Sequence, residues 1–164
     1  MQRQKVVFLD RDGVLNTERK EYTYSLDHFS MVEGIGEALA QLRDRGFIFV
    51  VATNQSGIAK GIYKHDDMHT INNTIAKNLE KHGVKIQEWY YCPHHNTIST
   101  CTCRKPDSGM LERGIARFNA DKNKSWFIGD KERDIDAGKK AGLLTLKIES
   151  NEDLRQHVEF LAEV

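Results

Sequence analysis

Asp10 and Asp12 stand two positions apart in FLDRDGVLN, where a short apolar run ends in two acids and a glycine. Carboxylates so close repel one another unless a positive charge lies between them. A divalent cation is the usual solution, and hard oxygen ligands with few protein contacts favour Mg²⁺. Gly13 permits a turn geometry closed to other residues. A second acidic stretch, GDKERD, sets Asp130 and Asp134 four apart, on one side of a helix if one opens there. Asp134 could equally do no more than cap that helix. Thr53, Asn54, Gln55 and Ser56 in VVATNQSG offer hydroxyl, amide and backbone N–H donors, a cradle for phosphate oxygens if a helix begins nearby. Taken alone, TNQSG is more often an ordinary loop. Lys105 adds a mobile positive charge, and Arg104 a planar fork suited to phosphate or sugar hydroxyls.

All three cysteines fall in CPHHNTISTCTCRKP, residues 92–106. An odd number so clustered does not make a secreted disulfide framework, and Cys101 and Cys103 are too close for an unstrained bridge. Cys92-x-His94 and Cys101-x-Cys103 instead supply three thiolates and one imidazole, the soft ligand set of a closed tetrahedral zinc site. The polar neighbours Asn96, Thr97, Ser99 and Thr100 leave no core in which the cysteines could simply be buried. His95 is the alternative imidazole, but Cys-x-His repeats the Cys-x-Cys spacing opposite. With no ligand position open to water, the zinc reads as structural. A zinc-binding loop over 92–103 would stiffen the arm that carries Arg104 and Lys105.

These residues need elements to position them. Apolar runs at 5–9, 47–53, 86–91, 125–129 and 143–148 read as buried parallel strands. Between them, Ile35, Ala38, Leu39 and Leu42, then Met68, Ile71, Ile75 and Leu79, follow helical spacing, with Gly46 and Gly83 placed as C-caps. Asp107 or Ser108 could cap a third helix running to about Phe118, a fourth covers Glu132 to Lys140, and a last one carries Leu154, Val158 and Leu161 on one face. Strands alternating with helices predict an α/β, doubly wound sheet, which places its site at the carboxyl ends of the strands. Asp10, Thr53, the cysteine segment and Asp130 all follow strand ends. Residues 16–33 lack periodicity and read as a loop over that rim.

The chain has 164 residues, 39% of them hydrophobic, which suits one domain over 1–164. A formal net charge of +0 gives no footprint for a polyanion. No apolar run is long enough for a leader or a membrane span, so a cytoplasmic protein is expected. There is no G-x-x-x-x-G-K-[ST], and Gly34-Ile35-Gly36 lacks the third glycine of a dinucleotide loop, so nucleotide-dependent transferases fit poorly.

Taken in order, FLDRDGVLN, VVATNQSG, the lysine of CRKP and GDKERD resemble the four motifs of the haloacid dehalogenase-like phosphohydrolases over nearly the whole chain. The resemblance implies a mainly parallel, Rossmann-like sheet without a large cap domain. It also implies that Asp10 attacks phosphorus to form an aspartyl-phosphate, while Asp12 protonates the leaving alcohol and then activates water. Mg²⁺ would be held by Asp10, the backbone carbonyl of Asp12 and Asp130, and Thr53 and Lys105 would hold the transferring group. CPHH…C-x-C-RKP is further similar to a zinc-bearing subgroup that contains heptose bisphosphate phosphatases and histidinol phosphatases. SGIAKG after TNQ resembles the heptose branch, whose members serve nucleotide-activated heptose and lipopolysaccharide biosynthesis. By that resemblance Asn54, Gln55, Ser56, Arg104 and Lys131 contact the sugar phosphate, and Arg104 meets its second anionic or hydroxyl-rich end. Residues 17–32 and the zinc arm form the substrate wall. The expected partner is a small sugar phosphate, with neither nucleic acid nor membrane, and the expected state a monomer. Histidinol phosphate, a DNA 3′-phosphate and a non-catalytic zinc module stand as alternatives.

Overall fold

In a computed structural model, residues 2–164 are described. Five strands form one parallel sheet: β1 (Lys5–Leu9), β2 (Phe47–Asn54), β3 (Ile86–Cys92), β4 (Trp126–Gly129) and β5 (Leu144–Lys147), in the order β3-β2-β1-β4-β5. Five helices connect or follow them: α1 (Ile35–Asp44), α2 (His65–Glu80), α3 (Gly109–Phe118), α4 (Glu132–Ala141) and α5 (Val158–Ala162). The fold is therefore the doubly wound α/β sheet expected, with no inserted domain among the described residues.

Side chains alternate across each strand, so β1 feeds two cores. Val7 and Leu9 pack with Leu39, Leu42, Ile71, Ile75 and Leu161 on the face covered by α1, α2 and α5. Val6 and Phe8 pack with Met110, Leu111, Phe127 and Ala137 on the face covered by α3 and α4. β1 is central and fully covered, which explains its unbroken apolar run. β3 and β5 lie at the edges, where most of their residues are only half-buried, so the expectation of five buried strands holds for the inner three.

Two further differences concern local chemistry. Ser108 takes the N-cap position of α3, but its hydroxyl pairs with the Glu112 carboxylate rather than capping the backbone. The last predicted helix begins as a 3-10 turn, Leu154–His157, before α5; Leu154, Val158 and Leu161 are nonetheless all buried. The chain direction reverses its order between β3 and β4, so β1 and β4, paired from Val7–Trp126 to Leu9–Ile128, flank the switch point. Asp10 and Asp130 directly follow those two strands.

Candidate functional site

The carboxyl rim encloses a cavity of about 630 Å³ lined by Asp10, Asp12, Asn54, Gln55, Ser56 and Arg104, together with the loop residues Glu18 and Lys20 to Tyr24. The aperiodic loop thus does lie over the rim. Arg11, Lys20, Lys60, Arg104 and Arg133 share this lining with the acids Asp10, Asp12, Glu18 and Glu21.

At its floor, Asp10 accepts the Arg11 backbone N–H at 2.8 Å and pairs with Lys105 Nζ at 2.9 Å, both through Oδ1. Among the described residues none donates to Asp10 Oδ2. Burial, then the nearby Asp134 carboxylate, raise the Asp10 carboxyl to about 7 against the pull of Lys105. The lysine expected to be mobile is instead 1% exposed and held by three oxygens: Asp10 Oδ1, Asp134 Oδ1 at 2.7 Å and the Ala52 carbonyl at 2.9 Å. Burial alone would lower its proton affinity; the two carboxylates outweigh this and raise it, so Lys105 stays an ammonium.

Asp130 and Asp134 do not share a helix turn. Asp130 precedes the N-cap Lys131, and Asp134 is the third residue of α4, where its Oδ2 accepts the Lys131 backbone N–H at 3.0 Å. Asp134 therefore both caps α4 and anchors Lys105. Carboxylate oxygens of Asp10, Asp130 and Asp134 still lie within 4.8 Å of one another. Asp130 Oδ1 is buried without a hydrogen-bond partner, while Oδ2 accepts the Ser150 hydroxyl and lies 3.2 Å from Lys131 Nζ. An orphaned buried carboxylate oxygen beside a second carboxylate is the donor set a hard divalent cation requires. Gly13 has φ +86, and a Cβ there would fall 2.4 Å from Asp130 Oδ2, so this turn needs glycine for conformation and for space.

Asp12 is fastened separately. Its Oδ1 accepts Arg11 Nη2 and Asn16 Nδ2, both at 3.0 Å, and its Oδ2 accepts Gln55 Nε2 at 3.0 Å. Burial acts upward on its proton affinity, but Arg11 and these hydrogen bonds hold the carboxyl below the ordinary range. Arg11 is itself 1% exposed, donating also to Asn72 on α2 and to the Thr23 carbonyl.

No helix begins after β2; turns occupy that stretch and α2 starts only at His65. Thr53 Oγ1 accepts Gln55 Nε2 at 2.9 Å. Asn54 gives both polar atoms to the Lys105 backbone, accepting its N–H at 3.0 Å and donating to its carbonyl at 3.1 Å. The Ser56 hydroxyl lies 3.3 Å from that of Tyr22 and lines the cavity. Lys131 is not among the cavity-lining residues; its ammonium faces Asp130 and Ser150. From the tail, Asn151 accepts the Glu18 N–H at 2.5 Å, donates to the Glu18 carbonyl at 3.2 Å and donates its own N–H to the Gly13 carbonyl at 2.9 Å.

Cys92, at the end of edge strand β3, meets His94, Cys101 and Cys103, with all four ligand atoms within 4.8 Å. The Sγ–Sγ separations from Cys92 are 3.6 Å to Cys101 and 3.0 Å to Cys103, and His94 Nδ1 lies 3.5 Å and 3.3 Å from Cys92 and Cys103. The thiols are unbridged, and these spacings approach the roughly 3.8 Å tetrahedral edge that Zn–S bonds of about 2.3 Å generate. His95 points elsewhere, lining the cavity and pairing with Thr97. Arg104 Nη1 donates to the His94 carbonyl at 3.3 Å, which ties the arginine to the cysteine loop.

Sequence reading missed Arg11, Asn16 and Tyr63 as site residues. One signal was present: Asn72 falls on the apolar face of α2, four after Met68 and three before Ile75, and such an amide requires a buried partner.

The chain belongs to the haloacid dehalogenase-like hydrolases, whose family description matches residues 3–142. It is 40% identical over 147 residues to a D-glycero-beta-D-manno-heptose-1,7-bisphosphate 7-phosphatase of Haemophilus ducreyi, covering 86% of this chain and 80% of the relative. It is also 40% identical over 148 residues to a D-glycero-alpha-D-manno-heptose-1,7-bisphosphate 7-phosphatase of Campylobacter jejuni, covering 90% and 84%. The crystal structure of a D,D-heptose 1,7-bisphosphate phosphatase from B. bronchiseptica complexed with magnesium and phosphate superposes with a TM-score of 0.89 at 28% identity, covering 96% of this chain and 98% of that one. Among the described residues no helix is long and apolar enough to cross a membrane.

Proposed function

We propose that the chain is a Mg²⁺-dependent phosphatase that works through an aspartyl-phosphate and removes the 7-phosphate of D-glycero-D-manno-heptose 1,7-bisphosphate. The observation that carries this reading is Asp130 Oδ1, buried without a hydrogen-bond partner on a carboxylate grouped with that of Asp10, which lines the cavity. Asp10 Oδ2 is the nucleophile, and it keeps its lone pairs because Arg11 N–H and Lys105 engage only Oδ1. Lys105 and the Thr53 hydroxyl hold the phosphoryl group in line, so that the chain supplies mainly positioning and charge.

Asp12 lies free of the acidic trio, on the Gln55 side of the cavity floor. In the free protein it is ionised; a phosphate dianion seated beside it raises its proton affinity, so Asp12 takes up a proton from solvent as substrate binds and passes it to the leaving oxygen. Once the alcohol has left, the Asp12 carboxylate draws a proton from water, which attacks phosphorus and frees Asp10. Asp10, Asp130 and the Asp12 carbonyl are the residues that would hold Mg²⁺, which when bound offsets repulsion between carboxylate and phosphate. Cys92, His94, Cys101 and Cys103 would hold a structural Zn²⁺, making 92–103 a stiff loop of one working unit spanning 1–164. Arg104, tied to that loop and lining the cavity, meets the second phosphate, which an amino alcohol ester such as histidinol phosphate lacks.

The test is phosphate release with Mg²⁺ from both anomers of heptose 1,7-bisphosphate, beside histidinol phosphate and hexose phosphates. Relatives carry either anomer in their names, so the comparison also assigns one. Turnover of a heptose bisphosphate, abolished in Asp10→Asn, supports the reading; preference for histidinol phosphate, or turnover surviving Asp10→Asn, overturns it.

A further inference from the structure

Asp12 needs to be held at a fixed distance from the leaving oxygen, and one of its holders is itself held. Gln55 donates through a single nitrogen to both Asp12 Oδ2, at 3.0 Å, and Thr53 Oγ1, at 2.9 Å. A side-chain amide has two faces of opposite polarity, and the reverse orientation would set its carbonyl oxygen against the Asp12 carboxylate. The Tyr63 hydroxyl donates to Gln55 Oε1 at 2.6 Å and reinforces the first orientation. Tyr63 is 6% exposed, and burial raises its proton affinity, so it is a donor throughout the physiological range.

Its ring is fixed from two sides. Tyr24 stacks on it with centroids 5.5 Å apart and an interplanar angle of 12°. Behind it, a Cβ on Gly57 would lie 2.1 Å from the ring, so the absence of a side chain at 57 is what lets the tyrosine reach Gln55.

We propose that Tyr63 is a positioning residue of the reaction: its hydroxyl locks the Gln55 amide so that its N–H₂ group holds the acid/base carboxylate of Asp12. This rests on the assignment of Asp12 above. Tyr63 borders the cavity, but its hydroxyl is given to Gln55, and its effect on the reacting atoms passes through that amide.

The test uses leaving groups of different need. An alkyl phosphate such as a hexose 6-phosphate requires a proton on its departing oxygen, whereas p-nitrophenolate departs without one. In Tyr63→Phe, which keeps the ring and removes the hydroxyl, single-turnover cleavage of the alkyl ester falls about tenfold at saturating substrate, with KM within about twofold. The p-nitrophenolate burst stays within about twofold of the parent protein. Gln55→Ala slows the alkyl ester more than the p-nitrophenyl ester, and the double variant is no slower than Gln55→Ala alone, because both act through one contact. Equal loss with both esters, no loss with either, or additive effects in the double variant would overturn the proposal, even if Tyr63→Phe folds poorly, since Gln55→Ala must still discriminate. Asp12→Asn is measured alongside. If it too fails to discriminate the esters, the assignment of Asp12 is at fault; if it discriminates while Tyr63→Phe and Gln55→Ala do not, only the role of Tyr63 falls.

Discussion

Replacing Lys105 by methionine removes the one ammonium that Asp10 and Asp134 share, at 2.9 and 2.7 Å, while keeping most of the volume. Loss of one partner from a buried ion pair costs about 3–5 kcal/mol, because the other charge stays behind in a poorly solvated place. Two carboxylates lose the same ammonium here, so about 5 kcal/mol is expected at pH 8. At pH 5.5 the Asp10 carboxyl, raised to about 7 by burial and by Asp134, is already neutral, so its attraction to Lys105 is no longer there to be lost. The cost should then be about 3 kcal/mol. The sign follows from linkage: a carboxyl whose folded pKa is raised contributes stability present at low pH and lost as pH climbs through about 7, and removing Lys105 deepens that loss. Urea unfolding of both proteins at the two pH values, without and with Mg²⁺, measures the difference, and Mg²⁺ should recover part of it at pH 8. Turnover should fall by about 10²–10³ from the missing electrostatic contact. An equal midpoint shift at both pH values, or a loss below about 1 kcal/mol, would refute this account of the cluster.

Two other outcomes are expected. Mg²⁺ affinity, measured calorimetrically between pH 6 and 8, should rise about tenfold per unit up to roughly pH 7 and then level, because the cation competes with the proton on Asp10; a flat profile would place the metal elsewhere. Cys101→Ser should lose bound zinc and thermal stability and raise KM for a bisphosphate about tenfold with a smaller change in kcat. Arg104 hangs on the cysteine loop, whereas Lys105 is separately fixed by Asn54, Asp10, Asp134 and Ala52. A kcat loss without a KM change would reverse that division.

The strands were legible because a parallel sheet covered on both faces writes itself as continuous apolar runs, and those at 5–9 and 47–53 match β1 and β2 to within one residue. The acidic, hydroxyl and cysteine groups were legible because each follows a strand end on one rim. What the spacing could not convey is which side chains face substrate and which face one another. Lys105 reads as an exposed cation from CRKP, since nothing local announces two carboxylates waiting below. Asn54 and Gln55 read as ligand contacts by type, yet their amides are matched to Lys105 and Asp12, partners distant in the chain. Tyr63 lies in a turn with no periodicity, and its meaning depends on a gap left at Gly57.

The bonds from Asn151 to Gly13 and Glu18 carry a consequence for how the protein is made. In the order of synthesis Asp10 comes 141 residues before Asn151, which ties the turn after Asp10 to the loop over it. At about 5–20 residues per second, the interval between them is on the order of ten seconds. For most of it β1 lacks β4, its neighbour on one side, and Asp10 lacks Lys105. Until β4 has emerged one edge of β1 has no strand to pair with, and the acidic turn that follows β1 stays without its lysine until residue 105 is out.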